Sequence, residues 1–117
     1  MALTIYEKRR HDRIDAIIKV DIFEYRGGKF LGKGYITDIS ISGLRVETND
    51  EINDSEDLFI KFLLPNGYYF DGIRSRILRT QKDSFSFIYG IRFVELFFKD
   101  KFRIWMFTKN IMGCRDL

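Results

Sequence analysis

From Ile14 onward the chain alternates. Ile14, Ala16, Ile18, Val20 and Ile22 are apolar at every second position, with Asp15, Lys19 and Asp21 between them. A period of two is the repeat of a strand, whose successive side chains point to opposite faces, and it cannot seat a helix of period 3.6 on a core. The pattern recurs along the chain. Phe30 to Thr37 reads as a return strand, and Leu44 to Glu47 as a short third one. Leu58, Ile60, Phe62 and Leu64 alternate again. Tyr68 to Thr80 is a long strand in which Ile73, Ser75 and Ile77 alternate with Arg74, Arg76 and Leu78. Phe85, Phe87, Tyr89, Ile91 and Phe93 define the last. Turn chemistry lies between these runs at Arg26-Gly27-Gly28-Lys29, Asp38 to Gly43, Pro65-Asn66-Gly67 and Lys82-Asp83-Ser84. Gly32 and Gly34, inside the second strand, suggest a bulge or a sharp bend. About six strands at short spacing predict an all-β fold, a closed or nearly closed six-stranded antiparallel β-barrel.

After Val94 the period changes. Leu96 to Met112 has three-to-four spacings and Gly113 as a stop, which predicts a C-terminal α-helix over 96–112. Its apolar surface is wider than one stripe, so it is expected to plug or cap the barrel, with Trp105 packing it down. The same surface allows a partner interface or a homodimer. Residues 47–57 carry Glu47, Asp50, Glu51, Asp54, Glu56 and Asp57 without a basic residue, and read as a solvated acidic loop.

The 117 residues suffice for one domain, and 12 Phe with 6 Tyr supply a core. A net charge of +3 permits an anionic ligand without implying a long polyanion. One Cys, Cys114, and one His, His11, leave no internal disulfide, no metal site and no cofactor or catalytic set to assemble, so an enzyme is not expected. No leader is visible, and the longest apolar run, Ile104 to Phe107, is far below the ~20 residues of a membrane helix. The chain reads as a cytoplasmic protein without membrane insertion.

Two short segments stand out. Lys8-Arg9-Arg10-His11-Asp12-Arg13 precedes the first strand and holds R-x-x-x-R; Asp38-Ile39-Ser40-Ile41-Ser42-Gly43 ends the second and holds D-x-S-x-x-G. With 11 Arg, one R-x-x-x-R is expected by chance, whereas about 0.04 copies of D-x-S-x-x-G are expected from 11 Asp, 6 Ser and 9 Gly. Taken in this order, each beside a strand of a small barrel, the pair is informative. Read alone, the first is a solvated tail and the second an Asx-type turn.

With these motifs and the late run Tyr89-Gly90-Ile91-Arg92-Phe93, nearly the whole chain resembles the PilZ family of cyclic di-GMP receptors. The resemblance implies a split-barrel type of six-stranded antiparallel barrel with a C-terminal helix. It implies a flexible N-terminal arm, residues 1–13, that orders over a barrel domain, residues 14–117, when cyclic di-GMP binds. The ligand-binding residues it implies are Arg9, Arg10, Arg13, Asp38, Ser40 and Gly43, with Lys8 and Ser42 as additions. Arginine is a planar five-donor fork that pairs with phosphate or with guanine O6 and N7 and stacks on a purine. A carboxylate accepts from the guanine N1–H and N2–H₂ edge, Ser40 can serve a phosphate or a base amine, and Gly43 permits positive φ or close backbone approach. Within the family the residue before R-x-x-x-R influences whether one or two ligands bind, and Lys8 favours a stacked pair. Arg74, Arg76 and Arg79 are expected to decorate a solvent face; the alternative is that one of them extends the basic surface toward the ligand. A downstream protein partner follows, since a receptor alone has no output. A ligand-free interaction module on the same fold and a single-stranded nucleic-acid-binding barrel are the alternatives; the latter needs aromatics on an exposed strand face, whereas the buried face and the helix are expected to take most of them.

Overall fold

The structure, a computed structural model, describes residues 18–52 and 57–116, with side chains in the C-terminal helix as far as Lys109. Six strands form a closed barrel: β1 (Ile18–Glu24), β2 (Phe30–Ile39), β3 (Gly43–Thr48), β4 (Leu58–Leu63), β5 (Tyr69–Lys82) and β6 (Phe87–Glu95), followed by α1 (Phe98–Asp116). The order around the barrel is β1-β2-β3-β6-β5-β4, every pair antiparallel, with β4 closing onto β1. The alternation of the sequence is the inside and outside of this wall. Ile18, Val20 and Ile22 of β1, Leu44 and Val46 of β3, Leu58, Ile60 and Phe62 of β4, and Tyr89, Ile91 and Phe93 of β6 fill the interior. Residues 14–17, where the alternation begins, lie outside the described residues. No helix is long and apolar enough to cross a membrane among the described residues.

The strands are longer than their unbroken alternations, because bulges shift the phase. β1 pairs Ile22 with Gly32 and Phe23 with Phe30, so Leu31 is the extra residue, beside the glycine that suggested a bulge. Gly34 has a different cause: a Cβ there would lie 2.5 Å from the Glu47 carbonyl oxygen, so the glycine lets β3 approach. In β5 the interior face changes from Phe70 to Ile73, and Gly72 takes up the shift at φ +132°. Phe85, expected in the last strand, is instead 93% exposed in the turn before β6.

The helix starts at Phe98, two residues later than expected. It places Ile104 and Phe107 in the core cluster and so covers one end of the barrel. The Tyr68 hydroxyl donates to Asp100 Oδ1 at 2.9 Å, and the Arg103 guanidinium lies 4.7 Å from the centre of the Tyr68 ring. Trp105 does not pack the helix down. It is 43% exposed and sits 6.1 Å from Phe102 on the outward side.

The acidic loop is not wholly solvated either. The Asp57 side chain is only 10% exposed, and its two oxygens accept from Arg74 Nε and from Arg76 Nε and Nη2, the last at 2.8 Å. Its backbone carbonyl accepts from the Tyr25 amide, and Arg74 also stacks 4.3 Å from the Tyr25 ring. Two of the arginines expected on a solvent face are therefore engaged in fixing the exit of this loop.

Hydrogen bonds from Arg74, then from Arg76, hold the Asp57 carboxyl below its ordinary value of 3.8. A carboxyl whose pKa is lowered by folding stabilises the fold above its unfolded pKa, and that contribution is lost as pH falls through the folded value. Asp57→Asn should cost about 1–2 kcal/mol at neutral pH, given that both arginines keep some solvent. It should also flatten the decline in urea midpoint below pH 4 or so. Parallel wild-type and variant midpoints across that range would refute the assignment.

Candidate functional site

The turn between β2 and β3 is built by its own small residues. The Ser40 amide donates to the Gly43 carbonyl at 2.8 Å, closing a tight hairpin. The Ser40 hydroxyl accepts from the Ser42 amide at 3.2 Å and lies 3.0 Å from the Ser42 hydroxyl. This is a serine turn, not the Asx turn that the sequence taken alone suggested. The Ser42 carbonyl accepts from the Phe93 amide at 3.0 Å, which ties the turn to β6. Gly43 is needed for contact and not for positive φ: a Cβ would lie 2.1 Å from the Ile91 carbonyl oxygen. The motif's glycine thus lets β3 lie against β6.

Asp38 is freed by a bulge. β2 pairs Ile36 with Val46 and Asp38 with Arg45, so Thr37 is the extra residue. In unbroken alternation with Ile36, Asp38 would point inward. The bulge turns it out, and it is exposed with no hydrogen-bond or ionic partner among the described residues. β5 repeats the device. Ile77 pairs with Ile91 and Arg79 with Gly90, leaving Leu78 extra, so Arg79 is also turned outward.

These residues meet in one open groove of about 390 Å³ on the outer wall. The turn residues Ser40, Ser42 and Gly43 form one side, with Asp38 beside them; Arg45, Arg92 and Arg79 stand along β3, β6 and β5. Across the strands the register reads Asp38, Arg45, Gly90, Arg79. Gly90, which has no side chain, is the low point between two arginines. A Cβ there would meet Arg79 Cβ at 3.4 Å, an ordinary contact, so packing does not demand the glycine. Arg45, Arg79 and Arg92 are exposed and have no acidic partner among the described residues, unlike Arg74 and Arg76. Three guanidinium groups against one carboxylate make a cationic groove with a single anionic acceptor, suited to an anion that also carries a donor edge.

The structure therefore brings together Asp38, Ser40, Ser42 and Gly43. Lys8, Arg9, Arg10, Arg13 and His11 lie outside the described residues. Sequence reasoning missed Arg45 and Arg92 and the open floor at Gly90. The run Tyr89-Gly90-Ile91-Arg92-Phe93 held the signal: with Tyr89, Ile91 and Phe93 inward, Gly90 and Arg92 must face out. Aromatics are also more exposed than the alternation suggested. Phe30, Tyr35 and Tyr69 stand on outer strand faces, and Tyr25 is exposed in the turn after β1. Tyr25 packs edge-on against Phe59, and Phe30 against Phe23. Arg74 covers the Tyr25 ring and Lys61 the Phe23 ring, so these rings are engaged with the protein.

The PilZ domain model matches residues 7–104, most of the chain and both motifs. The chain belongs to the PilZ domain family. That family consists of binding and adaptor domains, with cyclic di-GMP as its characteristic ligand. Among solved structures, the chain is similar to the Bacillus subtilis inhibitor of motility (MotI/DgrA), with a TM-score of 0.70 and 17% identity. The match covers 93% of this chain and 53% of that one, so the chain spans about half the length of that protein. A comparison with curated protein sequences gives no match.

Because the Gly43 contact is with backbone, the neighbour cannot rotate away. Gly43→Ala should lower stability by about 1–3 kcal/mol through overpacking at the β3–β6 seam. Gly90→Ala should leave it within about 0.5 kcal/mol. Equal denaturant midpoints for the two variants would count against this account of the motif's glycine.

Proposed function

We propose that the chain is a cyclic di-GMP receptor that relays the ligand's presence to a protein partner, in the manner of an adaptor governing motility, exopolysaccharide or virulence output. One observation carries the reading. The D-x-S-x-x-G turn borders a groove holding three arginines that have no acidic partner among the described residues, on the rim where the chain enters the barrel. Ile18 pairs with Ile36, two residues before Asp38, so the segment preceding β1 starts beside the turn. Five residue steps separate Arg13 from Ile18, a reach of at most about 17 Å, enough to bring R-x-x-x-R over the groove.

The division of labour follows from donor and acceptor type. Arg9, Arg10 and Arg13 clamp phosphate and guanine from above. Asp38 accepts from the guanine N1–H and N2–H₂ edge. Ser40 and Ser42 already spend part of their capacity on the turn, so their chief role is to hold it open. Arg79 and Arg92 supply cationic forks from below, where phosphate pairing is roughly twice as strong as a neutral hydrogen bond. Gly90 leaves room for a flat base against the wall. Lys8 adds charge for a second, stacked ligand. Ordering of residues 1–13 on binding would change the surface that a partner meets.

Calorimetry with cyclic di-GMP tests the reading and gives the stoichiometry. Binding is expected at or below tens of micromolar, roughly −6 to −7 kcal/mol or stronger. No heat at that concentration would end the receptor proposal, and one ligand per chain at saturation would end the stacked pair. Arg13→Ala and Arg92→Ala should each weaken binding about tenfold or more, since each removes a charge-assisted pair. Gly90→Val should also weaken it, by filling the groove, while leaving thermal stability unchanged or higher because valine suits a strand. Unaltered affinity in all three variants would move the site elsewhere. An unstructured oligonucleotide serves as the control and should not compete.

A further inference from the structure

The helix α1 is apolar on two opposite faces. Ile104 and Phe107 turn toward the core. On the other side, Phe98, Phe102 and Trp105 are 83%, 48% and 43% exposed, and Lys109 lies with its ammonium 5.0 Å from the centre of the Trp105 ring. The steps from 98 to 102, 105 and 109 are four, three and four, which place these residues along one narrow line of a helix. That line is the seam of a helix pair, narrower than the broad apolar face with which a helix lies in a lipid interface. Three aromatic side chains in a row on an otherwise folded domain form a patch of the kind that marks an interface.

The charge around the seam says what covers it. Lys99 and Lys101 are exposed beside it, and Lys109 lies on it. Asp100, the acid of this stretch, is turned the other way and held by the Tyr68 hydroxyl. Between Phe98 and Lys109 the outward face therefore presents cations without an acid. A second copy would bring lysine against lysine along the seam, whereas a helix with acidic flanks would pair with them.

We propose that the outward face of α1 docks an amphipathic helix of another protein, one whose apolar stripe is flanked by Asp and Glu. The proposal stands on the helix alone and does not depend on the ligand assigned to the groove.

Trp105 is the one tryptophan of the chain, so its emission reports on the seam directly. The test titrates the full chain with a synthetic three-heptad peptide free of tryptophan, with Leu at its seam and Glu on both flanks. A matched peptide with Lys flanks is the control. A saturable blue shift is expected with the acidic peptide only, weakening as salt is raised. Phe102→Ala should reduce affinity about tenfold or more. Lys101→Glu, an exposed change that leaves the core untouched, should reduce it independently. Absence of a shift, equal binding of the Lys-flanked peptide, or indifference to both substitutions would each overturn the proposal. So would a Trp105 already shielded from iodide in the isolated chain, a dimer in sedimentation that shields it, or a shift given by phosphatidylglycerol vesicles alone.

Discussion

Closure of the barrel depends on where the alternation of the strands is interrupted. A strand that keeps strict period two sends every second side chain inward, and a bulge breaks that phase at one point, where it bends the strand and increases its twist. Here the extra residues are Leu31 and Thr37 in β2, Leu78 in β5 and Val94 in β6, with Gly72 absorbing a further shift. Thr37 and Leu78 have a second consequence. Each immediately precedes a residue that unbroken phase would bury, Asp38 and Arg79, and each turns that residue onto the outer wall. The geometry that lets the sheet close also puts a carboxylate and a guanidinium on the two sides of one groove. A charged group placed inward at either position would face Ile36, Val46, Ile77 and Ile91 and pay a large desolvation penalty. Fold and site are thus fixed by the same interruptions.

Electrostatic partition does the rest. β5 carries Arg74, Arg76 and Arg79 within six residues, and they do not share a role. Asp57, arriving from the acidic loop, takes the first two. It thereby anchors the start of β4 to β5 and compensates the charge of two arginines beside Tyr25. Arg79, beyond the bulge, lines the groove with Arg45 and Arg92, none of the three with an acidic partner among the described residues. The modest net charge of +3 conceals this sorting. Asp57 compensates Arg74 and Arg76, while Arg45, Arg79 and Arg92, without an acidic partner among the described residues, line the groove beside the motif. A compact anion is served by such a local excess better than a long polyanion, which needs charge along a track.

The architecture was legible in the sequence because burial leaves a period in it. Ile18, Val20 and Ile22, or Leu58, Ile60 and Phe62, show their inward face without any knowledge of their partners. What was illegible depends on partners. The bulge at Thr37 exists only relative to Val46 and Arg45, so nothing in the run from Phe30 to Ile39 marks it. Gly43 looked like a turn glycine, and its reason lies on another strand, at the Ile91 carbonyl. Arg74 and Arg79 look alike in the chain, yet one meets Asp57, 17 residues away, and the other meets no acid among the described residues. Phe85 kept the alternation going on paper, though the Asp83 amide donates to the Ser86 carbonyl and closes the turn there. In α1 the inward and outward apolar sets were both visible, but spacing alone could not say which one the barrel would take.

That last ambiguity has a physical consequence. Through Lys109, α1 sends Ile104 and Phe107 into the core and adds the Tyr68 to Asp100 bond, whereas every strand is held by two neighbours. At about 1.5–3 kcal/mol for each fully buried apolar side chain, and about 1 kcal/mol for the hydrogen bond, the helix is lightly attached compared with the wall. It also lies close in sequence to the groove. Arg92 faces the groove, Phe93 binds the Ser42 carbonyl, and the helix begins at Phe98. The β2–β3 turn is thus joined by one backbone hydrogen bond to a residue five positions before the first turn of α1. An element held by so few contacts can exchange between two arrangements at a lower cost than a strand of the closed sheet can. If the barrel carries a signal from its groove to a partner, α1 is the part of the described chain whose energetics permit it to move.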